Sequence, residues 1–178
     1  MKLPEVVAGN GGSHGGITPA SPSATLTGSS RQLLQFEAGG GRFGLWVSAV
    51  RETIRAVAVS PLPNAPAAVQ GVINLRGRII PVLNIRERFH LPPKEIEMSD
   101  HIIIAAAGSR VVAFQVDRAV GLADVPEHHV EEARKVTVAA EYVDCIVSMP
   151  DGLILIHDPA VFLSRAEGSA LDRAMDAR

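Results

Sequence analysis

The sequence predicts an all-β protein built of two small barrels packed together. Three observations carry that expectation. Aromatic residues make up 4% of the chain against 47% apolar residues overall, so the core has to be assembled from Val, Ile, Leu and Ala, a composition that favours strands. From Gln32 onward the apolar residues fall in short runs separated by turn residues, and hardly any stretch keeps a 3.6-residue period. These runs recur in two similar halves, which suits two barrels better than one sandwich.

Leu33 to Glu37 and Arg42 to Val47 flank Gly39, Gly40 and Gly41, the pattern of a hairpin with a glycine loop. Ser48 to Arg55 reads as one helical turn. Val69 to Leu75 and Arg78 to Ile85 flank Arg76 and Gly77, a two-residue connection, and Pro81 places the second of these strands at an edge or a bulge. Leu91 to Asp100, with two prolines and mixed charge, reads as a crossover between the halves. In the second half, His101 to Ala107 and Arg110 to Val116 flank Gly108 and Ser109, suited to a type II′ turn, and Val120 to Val125 continues the sheet. Tyr142 to Met149 and Leu153 to His157 then flank Pro150, Asp151 and Gly152. Asp158 and Pro159 predict the start of a helix through about Arg165, with Gly168 as its stop and Leu171 and Met175 in a weak extension.

At 178 residues a chain buries enough surface to need no metal or disulfide staple, and its single cysteine, Cys145, excludes an intramolecular disulfide. With 17 basic and 19 acidic side chains it lacks the field of a general nucleic-acid binder. No apolar run reaches the 18 or more residues of a membrane span. Of residues 1–30, 17 are Gly, Pro, Ser or Thr, which reads as a disordered tail without the hydrophobic stretch of a signal peptide; His14 is a solvated residue within it. A cytoplasmic protein is the expectation.

Chemistry-bearing patterns are few. Gly39, Gly41 and Gly44 spell a dinucleotide fingerprint, but a strand follows them where a phosphate would need a helix N-terminus. His128, His129, Glu131 and Glu132 crowd one segment without a metal-site spacing and read as a solvated connection. His157 and Asp158 adjoin but lack a nucleophile, and Cys145 lies in a hydrophobic run, as an inert core thiol does. Arg76, Arg78, Arg86 and Arg88 form a positive cluster whose pairs are spaced to share a strand face; a protein interface or intramolecular pairing explains them better than RNA, since no aromatic interleaves before Phe89. No catalytic, cofactor-binding or metal-ligating residue is assigned.

The segment from Val69 to Phe89, VQGVINLRGRIIPVLNIRERF, resembles the signature of the CheW-like family of chemotaxis coupling proteins. Val50 to Ile54, Pro61 to Pro66 (PLPNAP), the Val116, Asp117 and Val120 pattern, and the Leu153 to Ile156 strand before a short helix resemble further family motifs in the same order, so the resemblance covers about Gln32 to Arg165. It implies a division into a tail over 1–30, a CheW-like domain of two lobes over 31–166, and a C-terminal tail or helix extension over 167–178. It also implies two five-stranded SH3-like barrels around a shared hydrophobic core, with short helices, acting as a non-enzymatic adaptor without cofactor. In such proteins one barrel docks on the regulatory domain of a CheA-type histidine kinase and a groove between the barrels receives the cytoplasmic tip of a chemoreceptor. The protein would then sit in the cytoplasm, recruited to receptor arrays through its partners, with no membrane insertion and no nucleic acid.

The family's functional arginine falls on Arg76 and its acidic partner on Glu52, with Val50, Gly71 and Asn74 in neighbouring motif positions. Leu45, Val47 and Val57 are apolar candidates for the kinase contact or for core. The chain departs from the family at Thr53, at Asn84 and Ile85 where Asp-Leu is common, and at His157 and Asp158. The competing readings are an adaptor of a related pathway such as surface motility, a small metal-dependent enzyme using His128 or His129, and an RNA-binding barrel using the Arg76 to Arg88 cluster.

Overall fold

The structure is a computed structural model and describes residues 29–132, 142–150 and 152–177; His14 and most of the segment read as a tail lie outside them. The described strands are β1 (Ser30–Ala38), β2 (Gly41–Trp46), β3 (Val50–Arg55), β4 (Val69–Leu75), β5 (Arg78–Leu83), β6 (His101–Ala107), β7 (Arg110–Val116), β8 (Arg118–Pro126), β9 (Val130–Glu132), β10 (Val143–Met149) and β11 (Gly152–His157). They form two sheets, one in the order β8-β1-β2-β11-β10-β9 and the other in the order β3-β6-β7-β5-β4. The all-β expectation, with two barrel-like sheets and few helices, therefore holds.

The two halves of the sequence are not the two sheets. Each half supplies a hairpin, a lone strand and a second hairpin: β1-β2, β3 and β4-β5, then β6-β7, β8 and β10-β11. The lone strand and second hairpin of each half join the first hairpin of the other half, with β3 on β6 and β8 on β1. Two parallel pairings close the exchange, Phe43 to His157 level on β2 and β11, and Val82 to Phe114 level on β5 and β7. Thus Val120 to Val125 does not extend the β6-β7 sheet. Local rhythm marks hairpins, whereas their partners are set by burial between residues far apart in the chain.

Three apolar clusters follow from period-2 alternation on strands that are covered on both faces. On β6, Ile103 and Ala105 face a central core shared by both sheets, while Ile102 and Ile104 face the interior of their own sheet with Ile73, Ile80, Val82 and Ala113. On β1 and β2, Leu34, Phe36, Phe43 and Leu45 enter the central core, and Leu33 and Trp46 face inward with Val147, Ile154 and Ile156. Each such side chain contributes about 1.5–3 kcal/mol when fully buried. The central core meets the expectation of a hydrophobic core common to both barrels.

The helices differ from the sequence reading. Only Val47–Ala49 form a single 3-10 turn before β3, so Glu52 lies on a strand. The β5 strand ends at Leu83, because Asn84 caps a one-turn helix α1 (Ile85–Arg88) by accepting from the Glu87 N–H. That removes Arg86 and Arg88 from any strand face. Pro81 sits on an internal strand, tolerated because β5 pairs with β7 only from Val82 onward. Asp158 caps a mere 3-10 turn, Pro159–Val161, and the true helix α2 (Arg165–Asp176) starts at Ser164, whose side chain and Glu167 form a reciprocal capping box. Gly168 is thus no stop but an inner residue of α2, where a Cβ would press on the Arg110 guanidinium at 3.3 Å. Leu171 and Ala174 of this helix enter the central core.

Candidate functional site

The two residues singled out by the sequence meet. The register Leu75 to Arg78 leaves Arg76 and Gly77 as a two-residue loop, with φ of 52° and 83°, the geometry of a type I′ turn. Asn74 holds the turn by accepting the Gly77 N–H at 2.9 Å. Arg76 occupies a left-handed conformation that costs a side-chain-bearing residue roughly 1–2 kcal/mol. Its guanidinium forks onto Glu52, with N–O distances of 3.4 and 3.1 Å. Glu52 is aimed there by a bulge: Val50 pairs with Ala105 but Glu52 with Ile104, so Arg51 is the extra residue on β3.

Gly71 serves shape rather than contact. It is buried, and a Cβ would overlap the Ser60 carbonyl oxygen, where Ser60 and Val72 exchange two backbone hydrogen bonds of 2.8 Å. The glycine therefore lets the chain after β3 lie flat on β4. Of the apolar candidates, Leu45 is 0% exposed in the central core and cannot meet a partner, so of its two readings the structure removes the kinase contact and leaves the core. Val47 is half-buried against the same core, and Val57 is exposed.

The Arg76 and Glu52 pair stands on the rim of a cleft of about 900 Å³. Leu75, Ile79, Pro81 and Val111 line it from the sheet, Leu171 and Met175 from α2. Arg51, Arg78 and the Arg110–Asp172 ion pair complete the rim. Sequence reasoning passed over Ile79, Arg110 and Asp172. Ile79 had a signal, since of two successive isoleucines on a strand one must face outward. Arg110 and Asp172, 62 residues apart, had none.

The remaining clusters resolve into structure. Arg86 is buried and paired with Asp117, and Arg88 is held by Glu167 and the Tyr142 hydroxyl, so of the four clustered arginines only Arg78 and the paired Arg76 face outward. His128 and His129 lie in a 3-10 turn leading into β9, so His128 and Glu132 never share a helical face. Among the described residues no three His, Cys, Asp or Glu side chains are placed to hold a metal ion. Burial pushes the Cys145 thiol up to about 12, with Asp144 adding to it, so the sulfur is protonated and unreactive near neutral pH. Gly39 and Gly40 turn the β1-β2 hairpin, with a strand and no helix after them. No helix among the described residues is long and apolar enough to cross a membrane.

Residues 32–167 match the family model described as CheW-like domain. The chain is 29% identical over 133 residues to chemotaxis protein CheW of Treponema pallidum, covering 71% of this chain and 78% of that one. It is 35% identical over 106 residues to chemotaxis protein CheW of Rhizobium meliloti, covering 60% and 68%. Among crystal structures, scaffolding protein TtCheW from Thermoanaerobacter tengcongensis superposes with a TM-score of 0.67 at 26% identity, covering 72% of this chain and 89% of that one.

Proposed function

The chain belongs to the CheW-like domain family, whose members are chemotaxis scaffolds and adaptors rather than enzymes, and from that premise we propose that it couples the cytoplasmic tip of a chemoreceptor to the regulatory domain of a CheA-type histidine kinase. One observation carries the reading on this chain's own residues. Arg76 accepts an unfavourable backbone conformation to hold a charge pair at the surface, with side chains 78% and 31% exposed. An ion pair so exposed contributes only about 0–1 kcal/mol to stability, less than the strain it accompanies. Its placement on a cleft rim is explained by recognition of another protein. Glu52 and Arg76 are then contact residues, Val50, Asn74 and Gly71 set the shape of the turn and the strand beneath it, and Val47 and Val57 add apolar surface.

The reading is tested by mixing the protein with a CheA-type regulatory domain and, separately, a chemoreceptor cytoplasmic fragment from the same genome, and following complexes by gel filtration. Arg76→Ala is expected to weaken at least one complex tenfold or more while lowering the unfolding free energy by only about 0–1 kcal/mol. The exchange Glu52→Arg with Arg76→Glu restores the pair and should recover part of the loss. Unchanged binding to both partners by Arg76→Ala removes the pair from the interface, and absence of any complex with the unaltered protein removes the function.

A further inference from the structure

We propose that residues 1–7 dock within their own chain, in the cleft between α2 and the β4-β5 turn. Leu3, Val6 and Val7 lie on its apolar floor, Glu5 pairs with Arg51 and Arg78, and the segment masks the Glu52 and Arg76 pair at the rim until a partner displaces it. The docking stands without the adaptor reading above; the masking rests on it.

The cleft presents an apolar surface that no described residue covers. Ile79 is exposed, and Leu75, Val111 and Met175 are half-buried, so each leaves part of its side chain to the space of about 900 Å³. Single exposed apolar side chains are ordinary, but four lining one concave surface mark a binding site. The α2 side is fixed in place, since Leu171 anchors the helix in the central core and Arg110 forks onto Asp172. The rim carries four arginines against two carboxylates, and both carboxylates are engaged, Glu52 by Arg76 and Asp172 by Arg110. Arg51 and Arg78 are exposed and outside any ion pair among the described residues, so the site calls for an apolar ligand that carries a carboxylate.

The chain carries such a ligand outside the described residues. Of the 17 Gly, Pro, Ser and Thr among residues 1–30, only Pro4 falls in residues 1–7, where Met1, Leu3, Val6 and Val7 are apolar and Glu5 is the single acidic residue before Glu37. Pro4 fixes its own φ and biases Leu3 toward extended backbone, which lowers the entropy lost on docking. Residues 8–28 form the tether, and 14 of these 21 are Gly, Pro, Ser or Thr. A chain of that length and composition spans about 25 Å on average and about 70 Å when drawn out, whereas a domain of about 150 residues has a radius of gyration of about 15 Å. The tether joins the described fold at Ser29, whose carbonyl accepts from the Glu127 N–H, so the whole surface lies within its reach. Tethering supplies a roughly millimolar effective concentration, which populates a contact of a few side chains that separate molecules would rarely form. That favours the chain's own segment over a second copy.

The test attaches a nitroxide to Ala8→Cys in the full chain; Cys145 is buried with its thiol pushed up to about 12 and does not react with the label. The amide NMR signals of Ile79, Val111 and Met175 are expected to lose at least twice as much intensity as those of Val147 and Ile154 in the other sheet. Adding Glu5→Arg should abolish that difference, and combining Glu5→Arg with Arg78→Glu should restore it. Equal broadening of both sheets, or a difference untouched by Glu5→Arg, overturns the docking. So does the same pattern when the nitroxide sits on a separate chain mixed with the isotope-labelled one, which would make a second copy the occupant. The masking is read by titration calorimetry with the partner whose complex Arg76→Ala weakens: removing residues 1–7 is expected to tighten that complex about threefold or more. Unchanged affinity overturns the masking. If the unaltered protein binds neither partner, the masking falls with the adaptor reading, and the nitroxide measurement decides the docking by itself.

Discussion

Asp100→Ala is expected to lower the free energy of unfolding by about 3–5 kcal/mol, because it strips one partner from a buried ionic network. Asp100 is 0% exposed and both its carboxylate oxygens accept: Lys94 Nζ at 2.6 Å, Gln115 Nε2 at 2.6 Å and the Glu97 N–H at 3.0 Å reach the carboxylate, and its own carbonyl accepts from Ala56. The network runs on. Lys94 also reaches Asp117, which is paired with Arg86 and accepts the Gly39 N–H at 2.7 Å, and Arg86 donates to the Pro92 carbonyl. Gly39 belongs to the β1-β2 turn of one sheet and Gln115 to β7 of the other, so the connection from Pro92 to Asp100 is a strap fastened to both. Removing the carboxylate leaves the Gln115 amide buried and weakens the strap at its end, a loss that urea denaturation with an unchanged m-value would register. Asp100→Asn, which keeps the shape and one acceptor oxygen, should fall between. A loss under about 1 kcal/mol for Asp100→Ala would show that the sheets hold their placement without the strap.

How much of this was legible differs from element to element, for physical reasons. Hairpins were readable because their turns need backbone that few residues supply: Gly39 with Gly40, Gly77 after Arg76, and Gly108 all take positive φ in the structure. The exchange of β3 and β8 between sheets was not, since nothing local to either strand names its partner. The start of α2 was misplaced although the sequence held its signal. Asp158 and Pro159 form one N-terminal pattern and Ser164 with Glu167 another, and the second prevails because it is followed by Leu171 and Ala174 at core positions. Leu45 was ambiguous because alternation assigns faces without saying that both are covered. The Glu52 and Arg76 pair was legible only through its resemblance to family motifs, and the α2 side of the cleft was not legible at all, as Met175 comes to line one cleft with the β4-β5 strands only in the folded chain.

Between pH 6.5 and pH 4 the protein is expected to lose about 3 kcal/mol of stability through one side chain, His157. The ring is 3% exposed, stacked on Phe89 with centroids 4.0 Å apart and flanked by Phe43 and Phe162 at 5.7 and 5.9 Å. Its Nδ1 lies 2.7 Å from the Tyr142 carbonyl, an acceptor, so the proton of the neutral ring resides there, and Nε2 has no partner among the described residues. Burial pushes the imidazole down to about 4, against the Tyr142 carbonyl, which favours the charged form. The unfolded chain takes up its proton near 6.5 and the folded one only near 4, so between these values the unfolded state binds more protons. The stabilisation is whole above pH 6.5 and gone once the pH has fallen through about 4. Asp100 acts in a different window: burial pushes its carboxyl up, but Lys94, the Glu97 N–H and Gln115 together hold it below the usual carboxylate range, so its contribution is lost only as the pH falls through that lower range. His157→Phe separates the two. It keeps an aromatic ring in the stack but strands the Tyr142 carbonyl, at a cost of about 1–3 kcal/mol at neutral pH, and it removes the titration. Urea midpoints measured from neutral pH down to about pH 4.5 should therefore converge, with the unaltered protein more stable at the top of the range and its advantage shrinking or reversing at the bottom. Parallel curves would show that His157 takes up its proton at the same pH in the folded and the unfolded chain, and the assignment of this acid limb would pass to the carboxylates.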